Sequence, residues 1–170
     1  MSRRCGQGGA FPHLRCRGGF LAVCFGMTAA ALTGAAIAET TGLSFLGEPV
    51  TPAQIESGEA LYAENCASCH GENREGQPDW RRRLETGRMP APPQDGTGHS
   101  FTHTDADLFA MTKFGIIAVV PGYESDMPAF EGVLSDPEIA HILSFLKAGW
   151  PKEKRRFQAT LPTKKPLPEG

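Results

Sequence analysis

No cysteine follows Cys69 in this 170-residue chain, and three of the five present, Cys5, Cys16 and Cys24, fall within the first 38 residues. A four-ligand zinc site needs a second Cys or His pair at close spacing, so this scarcity argues against zinc at Cys66 and Cys69. No strand signal precedes Cys66, which removes the βαβ setting of a thioredoxin-like dithiol. Acidic residues are absent from positions 1–38, where Arg3, Arg4, Arg15 and Arg17 stand. Internal repeats are absent too, and residues 71–103 keep neither a helical nor a strand period.

The basic start leads into an apolar run from Phe20 to Ala38 that closes on Ala36-Ile37-Ala38. A basic region, an apolar region and an A-x-A site make a signal peptide over 1–38, with cleavage before Glu39. The competing reading is an uncleaved anchor, since the run is just long enough to span a bilayer. Ser2-Arg3-Arg4 lacks the apolar residues expected after a twin-arginine pair, and Val23 is too bulky for a lipoprotein site at Cys24. Loss of the leader turns 17 basic against 19 acidic residues into 13 against 19, a formal charge of −6. Residues 39–150 hold 7 basic and 17 acidic side chains, and 151–170 hold 6 and 2. Such a balance argues against nucleic acid as the partner and for charge-steered docking to proteins. About 130 residues suffice for one compact domain.

Cys66-Ala67-Ser68-Cys69-His70 is the pattern of covalent c-type haem attachment. Two thiols add across two vinyl groups of one haem, and the adjacent imidazole of His70 reaches the iron. One motif implies one haem.

Three segments predict helices, each with its own start signal. Thr51-Pro52-Ala53-Gln54 combines a capping Thr, Pro at the first helical position and Gln at N3, and Ile55, Gly58, Tyr62 and Cys66 follow at helical spacing. Thr104-Asp105-Ala106-Asp107 opens a shorter helix that stops at Gly115. Ser135-Asp136-Pro137-Glu138 is a capping box before Ile139, Ile142, Leu143 and Leu146, with Gly149 and Pro151 as the end. The stretch from Gly71 to His103, rich in Gly, Pro and Arg, predicts a long loop with short elements of its own. The tail after Trp150, with Pro162, Pro166 and Pro168, predicts an extended, weakly ordered segment.

These residues resemble the class I c-type cytochromes over roughly Thr51 to Trp150. Gly58-Glu59-Ala60-Leu61-Tyr62 with Cys66 to Gly71 is similar to their N-terminal helix. Asp126-Met127-Pro128-Ala129-Phe130 and Leu134 to Ile139 are similar to their axial-methionine loop and last helix. The resemblance implies an all-α cytochrome c fold: three main helices around one covalently attached haem, with a long loop insertion after the haem-binding helix. It implies that Gly58 and Tyr62 meet Phe145 where the first and last helices cross. The domain order that follows is a signal peptide (1–38), an extension (39–50), the cytochrome domain (51–150) and a basic, Pro-containing tail (151–170).

The second iron ligand is Met, His or an open position. Met127, in a Pro-bearing loop between the middle and last helices, is the leading candidate, and a thioether there raises the potential relative to a second His. Met89, also followed by Pro, is its rival but precedes the middle helix. His99 and His103, four residues apart, read as loop histidines near the haem more than as metal ligands, and His141 as a solvated helix residue. His70 needs a backbone carbonyl for its second ring N–H, and Pro90-Ala91-Pro92-Pro93 is placed to offer one. Arg81, Arg82 and Arg83 beside Trp80 are either a solvated face or partners for haem propionates.

The expected protein is exported to the periplasm and passes single electrons between a redox donor and an acceptor, as a monomer or as a subunit of an oxidase or dehydrogenase complex. Two other readings stand beside it. One is a haem enzyme or gas-binding sensor with a displaceable distal ligand, and the other is a membrane-held subunit that keeps residues 1–38.

Overall fold

The computed structural model describes residues 42–162. The leader, its arginines and cysteines, and Pro166 and Pro168 of the tail lie outside the described residues.

All three sequence-marked helices form where their caps stand. In α1 (Pro52–Asn65) the Thr51 hydroxyl accepts from Gln54 N–H at 3.3 Å, while Gln54 Oε1 accepts from Thr51 N–H at 2.8 Å. Both bonds satisfy amides that the helix itself leaves unpaired. Thr51→Ala removes one of them, and the expected cost is about 1 kcal/mol of unfolding free energy, read from the denaturation midpoint. The one-turn helix α2 (Ala67–His70) follows directly. Helix α3 (Asp105–Phe114) is capped by the Thr104 hydroxyl, which accepts from Asp107 N–H at 3.1 Å, and stops at Gly115 with φ 86°.

Helix α4 (Asp136–Ala148) carries the heart of the core, with Ile139 and Ile142 fully buried and Leu143 and Leu146 beside them. Glu138 accepts from the Ser135 N–H at 2.8 Å and from its hydroxyl at 2.7 Å, and these bonds hold its carboxyl below the ordinary value of 4.5. Because the shift is downward, the stability it lends is complete above the unfolded carboxyl's range. It is lost as pH falls through the lowered value. Glu138→Gln is therefore expected to flatten the acid limb of the stability–pH curve, measured by denaturant melts between neutral and acid pH.

Helices α1 and α4 cross where Gly58 has no side chain: a Cβ built there would lie 2.1 Å from the His141 carbonyl oxygen and 2.9 Å from Phe145 Cβ. Tyr62, one turn on, meets the Phe145 ring at 5.7 Å between centroids. His141 is drawn into this crossing, half-buried with Nδ1 3.1 Å from Ser57 Oγ. The reading of a solvated His141 is thus corrected, because the close approach at Gly58 brings α1 alongside it.

A short antiparallel hairpin, β1 (Ser44–Phe45) and β2 (Glu48–Pro49), precedes α1 and inserts the buried Phe45 into the core. Asp105 ties it to α4, accepting from Leu46 N–H at 3.0 Å and from Lys147 Nζ at 2.8 Å.

The tail also differs from expectation, since Lys152–Ala159 is helix α5 and not an extended segment. Its eight residues include neither Gly nor Pro and are mostly good helix formers. Tertiary contacts supply the rest: Phe157 packs edge-to-face on Phe101, and Gln158 donates to the His103 carbonyl at 3.0 Å. Arg155 donates to the carbonyls of Ala148 and Trp150, closing the C-terminal end of α4.

Candidate functional site

The end of α1 and the single turn of α2 present Cys66, Cys69 and His70 together. Cys66 N–H donates to the Tyr62 carbonyl at 2.8 Å, and His70 N–H donates to the Cys66 carbonyl at 2.9 Å. The Cys66 carbonyl accepts from both Cys69 N–H, at 3.1 Å, and His70 N–H, so the three residues are held in a single turn. Both cysteines are free thiols. Burial and the neighbouring Cys69 push the Cys66 thiol up to about 11. That shift runs opposite to the lowered value of a redox-active dithiol.

His70 is buried and its tautomer is set by its neighbour. A carbonyl can only accept, so Nδ1 carries the proton and donates to the Pro92 carbonyl at 2.9 Å. Nε2 is left with a lone pair to give. Burial lowers the imidazole below its usual 6.5 and so favours the neutral form that a metal needs, while the Pro92 bond works against that shift and fixes the tautomer.

The Pro92 carbonyl is in place because the long loop folds back on itself. Gly76 N–H donates to the His70 carbonyl at 2.7 Å, Gln77 N–H to the Ala91 carbonyl at 2.9 Å, and Gln94 N–H to the Arg74 carbonyl at 2.7 Å. Trp150 Nε1 then donates to the Gln94 carbonyl at 3.0 Å, joining this loop to the end of α4. Tyr62 OH donates to the Gly71 carbonyl at 2.7 Å on the other side. The sequence points to a carbonyl from 90–93 against His70, but it gives no part to Gln94, Arg74 or Trp150. Trp150 just after α4, with its ring N–H to satisfy, is the one signal available.

Met127 is half-buried and packs against the core. Its N–H donates to Ser125 Oγ at 3.1 Å, and the chain then docks on the end of α3, where Phe130 N–H donates to the Thr112 carbonyl at 3.1 Å. Met89 is also half-buried, and an ion pair between Arg88 and Asp126 sets the two Met-Pro segments side by side. Their separation in sequence conceals this.

His99 and His103 flank a 3₁₀ turn, Ser100–Thr102, and their rings lie 5.5 Å apart. His99 stacks on Trp80 at 5.7 Å, and the Arg81 guanidinium lies over the Trp80 ring, 4.1 Å from its centroid. These rings form a surface ladder that packs the loop. Arg81, Arg82 and Arg83 are all exposed, and Arg83 donates to the Gly87 carbonyl at 2.6 Å.

Two unpaired thiols within one helical turn and a neutral imidazole with its outer nitrogen available are the donor set that a covalently held haem requires. The residues fit that group. A family model described as cytochrome C oxidase, cbb3-type, subunit III matches residues 53–146, more than half of the chain. No curated protein and no solved structure matches it.

Proposed function

Since the chain belongs to the cbb3-type cytochrome c oxidase subunit III family, and so is a class I c-type cytochrome with covalent haem that transfers electrons, we propose that it holds one haem and carries single electrons between redox proteins. In this reading Cys66 and Cys69 form the thioether links, His70 is the proximal ligand and Met127 the distal one. The observation that carries it is the His70 Nδ1 to Pro92 bond beside two free thiols.

When bound, the haem supplies a one-electron ferric–ferrous couple. The chain's own residues do the rest. Pro92 holds His70 in one tautomer, the fold of residues 71–94 holds Pro92, and the docking of Phe130 on α3 limits where Met127 can go. Ligands kept in place in both oxidation states keep the rearrangement on electron transfer small.

We further assign residues 51–150 as the cytochrome domain and 1–38 as an export signal, which puts the protein in the periplasm. No helix among the described residues is long and apolar enough to cross a membrane. The family description supports a second reading, a subunit of a membrane oxidase complex. Co-purification with an integral membrane oxidase after mild detergent extraction, against recovery as a free carrier, separates the two.

Met127→Ala tests the ligand assignment. The expected result is loss of the six-coordinate low-spin spectrum and a gain of at least about tenfold in affinity for carbon monoxide or cyanide, since an internal competitor has gone. Met89→Ala is expected to leave both unchanged. An unaltered spectrum in Met127→Ala would overturn the assignment.

A further inference from the structure

The ion pair between Arg88 and Asp126 joins two loops with different duties. Arg88 lies four residues before Pro92, whose carbonyl orients His70. Asp126 immediately precedes Met127. Among the described residues, this pair is the one hydrogen bond or ion pair that ties residues 121–129 to a distant part of the chain. The remaining bonds of that stretch, Tyr123 N–H to the Val120 carbonyl and Met127 N–H to Ser125 Oγ, are local. The Arg88 side is well anchored: Leu84 N–H donates to the Arg88 carbonyl at 2.9 Å, and Gln77 and Ala91 bond each other twice.

We propose that Arg88 and Asp126 form a clasp that closes the Met127 loop over the site and sets how often Met127 leaves it. The inference rests on the assignment of His70 and Met127 as the two ligands. Arg88 and Asp126 are positioning residues in this scheme, acting through the loop and not on the iron. Both side chains are partly exposed, 43% and 58%, so the pair is weak and salt-sensitive. Such a pair adds a small increment to the closed loop, and its effect is expected in loop opening more than in global stability.

The test uses the haem-loaded exported protein with Arg88→Ala, Asp126→Ala and the charge-reversed pair Arg88→Asp with Asp126→Arg. Two readouts are taken: the rate of cyanide binding to the ferric protein, and hydrogen exchange of peptides covering 84–92 and 121–130. Either single variant is expected to raise both by about two- to fivefold, the range an exposed ion pair supports. The reversed pair is expected to restore them. High salt should bring the wild type toward the single variants and leave these unmoved. Exchange that rises only in the mutated segment, or a reversed pair no better than the single changes, would overturn the clasp. If Met127 is not the ligand, the wild-type spectrum shows that before any variant is made, and hydrogen exchange still reports on the clasp.

Discussion

Replacing Cys66 and Cys69 together with alanine is expected to give an exported protein without covalent haem and without a stable fold. A haem held by Cys66, Cys69, His70 and Met127 would be enclosed by the elements that carry them, so its loss would leave a void instead of a surface. Taking about 300 Å³ as a modest size for such a cofactor site, a residual cavity costs on the order of 7 kcal/mol at roughly 24 cal/mol per Å³. That is comparable with the whole stability of a small domain. Circular dichroism should show lost helix, and mass spectrometry after acid–organic extraction should show a bare polypeptide. Either single variant is expected to keep the haem through its remaining thioether. A double variant that retains haem mass would contradict the assignment.

Gly58→Ala is expected to destabilise the protein by about 3 kcal/mol or more, the upper part of the range for overpacking. Helix propensity alone predicts the opposite sign, because Ala is favoured over Gly by up to about 1 kcal/mol inside a helix. The contact decides between the two effects. A new Cβ meets the His141 carbonyl oxygen at 2.1 Å, and backbone cannot rotate out of the way as a side chain can. Helices α1 and α4 would have to separate, loosening Tyr62 on Phe145 and, through α1, the turn bearing Cys66 and His70. The melting temperature should fall by more than about 10 °C for a domain of this size. Glu59→Ala, at the next and exposed position of the same helix, is expected to stay within about 0.5 kcal/mol of wild type. A Gly58→Ala protein that melts higher would mean that the helices do not cross there.

What the sequence discloses depends on how local the physics is. Caps are local, so Thr51, Thr104 and Ser135 mark the starts of α1, α3 and α4, and Gly115 and Gly149 mark two of the ends. The attachment motif is five consecutive residues and reads directly. The partner of His70 was also within reach, since a buried imidazole needs an acceptor and a proline-rich loop has carbonyls free of helix bonding. Helix α5 was not, because a short basic segment gains its order from Phe101 and His103, about fifty residues earlier. The setting of His141 is hidden for a similar reason, its surroundings being fixed by a glycine on another helix. The Arg88–Asp126 pair lies deeper still, as no pattern in either loop names the other.

The central claim is that one haem, fixed by Cys66 and Cys69 and ligated by His70 and Met127, makes this chain an electron carrier. A redox-titrated visible spectrum of the purified exported protein tests it most directly. The expected result is one covalent haem per chain, low-spin in both states, titrating as a single one-electron couple with thioether ligation in the ferric form. A high-spin spectrum with an open coordination position, or a haem that extracts into acidic organic solvent, would contradict it.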